Sequence, residues 1–254
     1  MILSRLAAGD PEFEQAFHRH VHFGAWEDPE NAYNDVPDSI VAMDRLCQHL
    51  LSVAEIGSGQ RVLDVGCGFG GTLATMDEQF DPLELTGLNI DARQLEVARG
   101  RLSPRVQLVE GDACEMPFAA ESFDRVLAVE CIFHFPSRRA FFEHVRRVLR
   151  PGGNLTLSDF LLPDGSPPGN FDDPGNPLWG AYTAIDLPGY RALADEVGLR
   201  LTHAQDISRH VRPTYHYFGQ LLGRHFPEAL QATELGAFIM DAGGIAYCTL
   251  RFDR

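Results

Sequence analysis

The chain has 254 residues, and its 36 acidic and 21 cationic side chains give a formal net charge of −15 at neutral pH. Every cationic residue is arginine, which excludes functions that need lysine, such as a Walker-type phosphate loop or a pyridoxal Schiff base. The acidic balance argues against nucleic acid, whose binding depends on cationic contacts to phosphate, and favours a small-molecule partner.

In chain order, residues 1–60 read as helical, and the clearest helix is predicted over 36–51. From residue 61 onward, short β-branched or Leu-rich runs alternate with helical stretches, which is typical of a parallel sheet covered on both faces. Strands are predicted at 61–65, 84–90, 106–109, 123–129, 154–160, 200–207 and 244–252. Helices are predicted at 94–101, 138–149 and 187–197, and residues 13–22 also read as helical. The sheet should therefore have seven strands.

Residues 161–177 contain five prolines and three glycines, which predicts a loop or lid. No linker separates two cores, so we expect one domain with a cap. The five cysteines contain no CxxC pair, which indicates a reducing compartment rather than a disulfide framework. Residues 1–16 lack a signal-like apolar run, and no segment approaches the ~20 apolar residues of a membrane helix. These features predict a cytoplasmic protein, and the sequence leaves a homodimer open.

The strongest local pattern is Val62-Leu63-Asp64-Val65-Gly66-Cys67-Gly68-Phe69-Gly70-Gly71, a buried strand followed by a glycine loop and a helix. Glycines permit positive φ and close approach of a ligand, and the helix start offers free N–H groups to an anionic group. The same residues satisfy GxGxxG, so an NAD-dependent oxidoreductase stays an alternative. A short-chain YxxxK pair is impossible without lysine.

Asp64 at the strand end, together with later motifs in the same order, resembles class I S-adenosylmethionine-dependent methyltransferases. The resemblance implies that Gly66, Gly68 and Gly70 cradle the methionine part of S-adenosylmethionine, with Asp64 ordering this loop or touching the cofactor. Leu85-Thr86-Gly87-Leu88-Asn89-Ile90-Asp91 resembles the ribose-binding strand, where a carboxylate is usual. Here Asn89 takes that place, and recognition could fall to Asn89, Ile90 or Asp91.

Glu110-Gly111-Asp112-Ala113 resembles the adenine loop of this family, with Asp112 in the place of the acid that accepts from the adenine amino group. Met116-Pro117-Phe118, Ser122-Phe123-Asp124 and residues 147–153 continue the family order. The resemblance implies a Rossmann-like α/β fold of seven strands, the last antiparallel. It divides the single domain 1–254 into an N-terminal helical cap (1–60), a cofactor-binding core (61–160), a substrate cap with the sixth strand (161–243) and the last strand (244–254).

Ligands of open α/β sheets bind beyond the carboxyl ends of the strands, which directs attention to Glu130-Cys131-Ile132-Phe133-His134 and Ser158-Asp159. With Val21-His22-Phe23-Gly24-Ala25-Trp26, these segments resemble small-molecule methyltransferases of the sugar, tocopherol and sterol type. The resemblance implies that Glu130 borders the cofactor and that His134, oriented by Asp159, deprotonates an acceptor hydroxyl. We therefore expect O-methylation of a secondary metabolite.

Three alternatives stay open. The acceptor atom could be nitrogen, carbon or sulfur, in which case proximity alone would drive the reaction. The chain could be the NAD-dependent oxidoreductase named above. It could also bind S-adenosylmethionine without catalysing a reaction.

His18, His20 and His22 alternate, as a zinc or iron site on a strand would require, but in a helical segment we expect a solvated or lid-facing cluster and no metal. A set of aromatic residues should shape the acceptor pocket from the cap: Phe17, Phe23, Trp26, Tyr33, Trp179, Tyr182, Tyr215 and Tyr217.

Overall fold

The structure, a computed structural model, describes residues 2–172 and 181–254. The α-helices are α1 (Ile2–Ala7), α2 (Pro11–Phe17), α3 (Val36–Val53), α4 (Gly71–Gln79), α5 (Ala92–Arg101), α6 (Arg138–Val148), α7 (Leu187–Val197), α8 (Ser208–Val211), α9 (Pro213–Gly223) and α10 (Pro227–Asp241). The strands are β1 (Arg61–Val65), β2 (Glu84–Asn89), β3 (Gln107–Glu110), β4 (Phe123–Val129), β5 (Leu149–Leu162), β6 (Gly169–Asp172), β7 (Ala181–Asp186), β8 (Arg200–Asp206) and β9 (Ala246–Asp253).

The predicted α/β fold is confirmed. The strands follow the order β3-β2-β1-β4-β5-β9-β8, in which β1 to β5 pair in parallel and β9 runs antiparallel to both β5 and β8. All seven predicted strands are present within a few residues of their expected bounds. The carboxyl ends of β1, β2 and β4 therefore meet at one edge, where the glycine loop and Glu130 follow their strands.

Two further strands correct the expected count of seven. β6 lies inside the segment predicted to be a loop, and it pairs with β7 in an antiparallel ladder. β7 also extends the sheet, because Ile185 and Asp186 pair in parallel with Leu161 and Leu162 at the end of β5. The last part of the predicted loop, residues 173–177, lies outside the described residues.

The helical prediction for residues 13–22 is wrong beyond Phe17. α2 begins with Asp10 as its N-cap and ends at Phe17, because His18 adopts a φ of 51°. The chain then runs without regular structure through residues 19–26. This change of direction carries the segment across the edge of the sheet where the glycine loop lies.

Buried side chains form a core on the sheet and a second cluster under the cap. Helix α6 buries Phe141, Phe142 and Val145 against the sheet. The second cluster joins α1 to α3 with α8 to α10 through side chains such as Leu46 and Leu222. Segments at the two ends of the sequence therefore pack together beside the sheet. None of the helices in the described residues combines the length and apolar character needed to span a membrane.

Candidate active site

The glycine loop leaves β1 with a backbone that requires glycine at specific positions. Gly66, Gly68 and Gly70 have φ values of 68°, 52° and 82°, in the left-handed region that side chains disfavour. A Cβ at Gly66 would also lie 2.6 Å from Cys131 Cβ. The backbone nitrogens of Gly66 and Cys67 donate to the carbonyl oxygen of Leu88 at 2.8 and 3.1 Å, which fixes the loop to the end of β2.

The loop borders a cavity of about 590 Å³, a volume typical of small-molecule sites. Eight of the nine residues predicted to bind the cofactor line this cavity: Asp64, Gly66, Gly68, Asn89, Ile90, Asp112, Ala113 and Glu130. The ninth, Gly70, is the N-cap of α4 and does not line the cavity. The fold therefore brings these eight residues to one cavity, and their contacts with a cofactor stay a prediction.

Asp64 is the most buried carboxylate of the cavity lining, with 3% of its surface exposed. Desolvation raises its pKa to about 7, because the ionised form loses hydration in this setting. A positive charge in the cavity would stabilise the ionised form. Asp64 is therefore suited to a cationic ligand.

The polar end of β2 has amides at the position where the family that the sequence resembles usually has a carboxylate. Asn89 Nδ2 donates to Gln94 Oε1 at 3.1 Å, and both residues line the cavity. Asp91 is engaged elsewhere, because it caps α5 and forms an ion pair with Arg93. Asn89 lines the cavity and Asp91 does not, and a role for Asn89 in ribose binding stays a prediction. Gln94 was missed in the sequence, although it lies on the first turn of the helix that follows Asn89.

The loop after β3 lies beside the same cavity. Gly111 donates its backbone N–H to the carbonyl of Asn89 at 3.0 Å, and Asp112 Oδ1 accepts from the backbone N–H of Cys114 at 2.7 Å. These contacts hold Asp112 and Ala113 at the cavity wall next to the β2 end. Such a position is compatible with the adenine role expected for Asp112.

Glu130 follows β4 and connects the sheet to the cap. It has a φ of 49°, and its Oε1 accepts from the backbone nitrogen of Phe23 at 2.7 Å and from the Tyr247 hydroxyl at 2.6 Å. Desolvation, opposed by these two hydrogen bonds, raises the pKa of Glu130 to about 7. Glu130 thus holds the N-terminal segment over the cavity, a role that sequence patterns did not indicate.

His134 and Asp159 occupy different surroundings. His134 is exposed, ends the short 3-10 helix Ile132–His134 after β4 and lines the cavity. Asp159 is fully buried and is not among the lining residues. Its carboxylate accepts from Arg138 Nη2 at 2.9 Å, from the Tyr190 hydroxyl and from the backbone nitrogen of Phe160 at 2.8 Å. The structure thus gives Asp159 hydrogen-bond partners other than His134, and their predicted pairing is not supported by these contacts.

The histidines of the N-terminal segment separate into two environments. His18 is exposed, whereas His20 and His22 are buried and line the cavity with ring centroids 4.8 Å apart. Within the described residues, no group of three or more His, Cys, Asp or Glu side chains is arranged to hold a metal ion. Of the expected solvated or lid-facing cluster, the solvated alternative is therefore wrong for His20 and His22.

The predicted aromatic cap is only partly at the cavity. Phe17 and Phe23 line it, and Trp26, Tyr215 and Tyr217 are buried in the packing around it. Tyr33 is 85% exposed and lies apart from the lining residues. Trp179 and the side chain of Tyr182 lie outside the described residues.

The residues present fit S-adenosylmethionine. Asp64, Asp112 and Glu130 make the lining acidic, and the lining arginine, Arg19, is paired with Glu78 at 2.7 Å. An acidic lining suits a sulfonium cation, whereas it would repel the pyrophosphate of a dinucleotide. At Gly68, an added Cβ would meet no atom closer than Gln94 Oε1 at 3.7 Å, so the backbone there stays open to a ligand.

Comparisons with known proteins agree with this geometry. Residues 63–157 match the family described as a methyltransferase domain. An O-methyltransferase of Pyrenophora dematioidea is 34% identical over 76% of this chain and 73% of its own length. The 27-O-demethylrifamycin SV methyltransferase of Amycolatopsis mediterranei is 32% identical over 91% of this chain and 85% of its own.

A solved structure shows the same fold at lower identity. The geranyl diphosphate C-methyltransferase of Streptomyces coelicolor, in complex with Mg2+, geranyl diphosphate and S-adenosyl-L-homocysteine, superposes with a TM-score of 0.76. It is 15% identical and covers 96% of this chain and 98% of its own. The likeness shows the fold, and the relatives above show the type of reaction.

Proposed function

Because this chain belongs to the class I S-adenosylmethionine-dependent methyltransferases, we propose that it methylates a hydroxyl oxygen of a small molecule, with His134 as general base. The observation that supports the proposal is the position of His134 on the lining of the cavity that also contains the glycine loop. Relatives named as O-methyltransferases support the choice of acceptor atom. The NAD-dependent alternative is set aside, since the whole-chain relatives are methyltransferases.

The cofactor, when bound, supplies an electrophilic methyl group on a positively charged sulfur. Gly66, Gly68, Asn89 and Asp112 are the residues proposed to hold it. The cavity walls orient the acceptor and exclude water, and this alignment contributes about 7–11 kcal/mol to such reactions. The His134 imidazole would accept the hydroxyl proton when the acceptor oxygen takes the methyl group, and the donor would leave as S-adenosylhomocysteine.

Asp159 enters this proposal as a structural residue. Arg138 links it to β7, because the guanidinium donates to the Asp159 carboxylate and to the backbone oxygen of Thr183 at 2.6 Å. These bonds join the end of β5 to α6 and β7. In this proposal Asp159 therefore stabilises the packing of these elements and does not itself take a proton.

The test compares His134→Ala with Glu130→Gln in assays of S-adenosylhomocysteine release, using a panel of phenols, macrolide alcohols, primary amines and thiols. We expect turnover with a hydroxylated acceptor, and a loss of kcat of about 10²- to 10⁴-fold in His134→Ala. The affinity of His134→Ala for S-adenosylhomocysteine should stay within a few-fold of the wild type. Glu130→Gln tests the other candidate base at the site, because the pKa of about 7 of the Glu130 carboxyl group would also suit that role.

Three results separate the alternatives. A His134→Ala enzyme that retains full turnover refutes the general base. Turnover only with amines or thiols assigns the chain to N- or S-methylation by proximity. A pH-rate profile that loses its acidic limb in Glu130→Gln and keeps it in His134→Ala moves the proton acceptor to Glu130, because a general base loses activity when it is protonated at low pH.

A further inference from the structure

Two buried imidazoles in the cavity lining each leave one ring nitrogen without a partner. His20 Nδ1 and His22 Nε2 have no hydrogen-bond partner among the described residues, although these side chains are only 2% and 6% exposed. Both residues line the cavity, and their rings lie 4.8 Å apart. Buried polar atoms without partners are rare, which makes a ligand atom the natural complement.

The partners of the other two nitrogens fix the tautomers. His20 Nε2 lies 3.0 Å from Asp44 Oδ1, and His22 Nδ1 lies 2.7 Å from the carbonyl oxygen of Phe23. A carboxylate and a carbonyl can only accept, so both of these ring nitrogens carry the hydrogen. In the neutral ring the remaining nitrogen is then an acceptor, and burial lowers the pKa of both histidines.

Two neighbouring acceptors need a ligand with several donors. The two ring nitrogens cannot bond to each other, because neither carries a hydrogen. A carboxylate is excluded as their ligand, because it also has only lone pairs to offer. A hydroxyl offers one hydrogen, whereas a primary ammonium offers three and is also attracted to Asp64 and Glu130 in the same lining.

The location of the pair points to the amino-acid end of the cofactor. A Cβ at Gly71 would lie 2.1 Å from the carbonyl oxygen of Arg19 and 3.0 Å from His20 Nδ1. The histidine segment therefore packs directly on the start of α4, immediately after the glycine loop. Glu130 holds the adjacent Phe23, so the pair lies between the glycine loop and the end of β4.

We propose that His20 Nδ1 and His22 Nε2 form a binding site for a primary ammonium group, supplied by the α-amino group of S-adenosylmethionine. The inference depends on the cofactor and not on the proposed acceptor or on His134. Its failure and that of the O-methylation proposal are therefore distinguishable, because the first is measured by binding and the second by turnover.

The experiment is calorimetry with S-adenosylhomocysteine and its deamino analogue, in which hydrogen replaces the α-amino group. Because the deamino analogue lacks the charged hydrogen bonds, the wild type should bind it about tenfold to a hundredfold more weakly than S-adenosylhomocysteine. In His20→Phe and His22→Phe the difference between the two ligands should shrink toward unity. A wild-type difference below twofold, or an equal difference in the wild type and both variants, overturns the proposal.

Two controls separate this role from a structural one. 5′-Methylthioadenosine lacks the amino-acid portion, so its affinity should be the same in the wild type and both variants. His18→Asn changes the exposed histidine of the same segment and should bind every ligand as the wild type does.

A third titration identifies the source of the ammonium group. n-Butylammonium chloride should give no heat with protein saturated by S-adenosylhomocysteine. Heat there that His22→Phe abolishes, together with undiminished binding of the deamino analogue, would overturn the cofactor as the source of the ammonium group and would assign the site to an amine on the acceptor. If neither the α-amino group of S-adenosylhomocysteine nor n-butylammonium binds in a way that depends on the histidines, the ammonium site itself is overturned.

Discussion

The pKa of Asp64 measures how strongly the cavity wall excludes water from a buried carboxylate. An isolated aspartate titrates at about 3.9, whereas burial raises the pKa of Asp64 to about 7. Between these values the unfolded chain has lost the proton and the folded chain retains it. Folded protein then binds more protons than unfolded protein, so the free energy of unfolding falls as pH rises through this window and stays low above pH 7.

The size of the effect follows from the shift of about three pKa units. Each unit corresponds to about 1.4 kcal/mol, so ionised Asp64 lowers the free energy of unfolding by about 4 kcal/mol above pH 7. pH 5 lies only about one pH unit above the pKa of the unfolded chain, so ionisation of Asp64 lowers the free energy of unfolding by about 1.5 kcal/mol there. Asp64→Asn has nearly the same shape and never ionises, so it should be more stable than the wild type, by an amount that grows between pH 5 and pH 8.

The assay is urea unfolding of the wild type and Asp64→Asn without cofactor at pH 5 and pH 8. The advantage of the variant should increase by about 2 to 3 kcal/mol between the two values. Contributions of Glu130, His22 and other groups are common to both proteins and cancel in the difference. An advantage that is equal at both pH values would refute the reasoning, because it would mean that Asp64 titrates normally in the folded chain.

Three further predictions concern the loop and its neighbours. Gly66→Ala should lower the thermal unfolding midpoint and abolish S-adenosylhomocysteine binding, because the added Cβ would lie 2.6 Å from Cys131. Gly68→Ala should have an unfolding midpoint closer to that of the wild type and should still bind S-adenosylhomocysteine poorly. Gln94→Ala should weaken 5′-methylthioadenosine about tenfold in calorimetry, because it removes the partner of the amide at the ribose end, and unchanged affinity would exclude this role. Iodoacetamide at pH 8 should leave all five buried cysteines unmodified in native protein, since burial raises the thiol pKa of Cys131 and others, and mass spectrometry should find five labels after denaturation.

The sequence determined the parts of this protein that depend on local order. Alternation of apolar runs with helical stretches predicted the seven strands β1 to β5, β8 and β9, because runs of apolar residues report directly on burial, whereas β6 and β7 were not predicted. The glycine loop and its ordered motifs predicted a cavity wall of Asp64, Gly66, Gly68 and Asn89. Parallel strands bring their carboxyl ends to one edge, so residues that follow different strands meet there without further information.

Tertiary structure decided which polar groups face a ligand and which face other protein atoms. Asp159 lies near the carboxyl end of β5, at the same edge of the sheet as His134, yet Arg138 and Tyr190 surround its carboxylate. His20 and His22 show the opposite case: the helical interpretation predicted a solvated or lid-facing cluster, and their rings are buried at the cavity.

The physical reason is the range of the interactions. A φ of 51° at His18 ends the helix, a local event with no strong pattern in the sequence. Bonds between residues more than a hundred positions apart, Phe23 with Glu130 and Glu130 with Tyr247, then hold the segment across the site. Periodicity carries no information on such distant pairs, so the identity of these partners emerges only when the chain is folded.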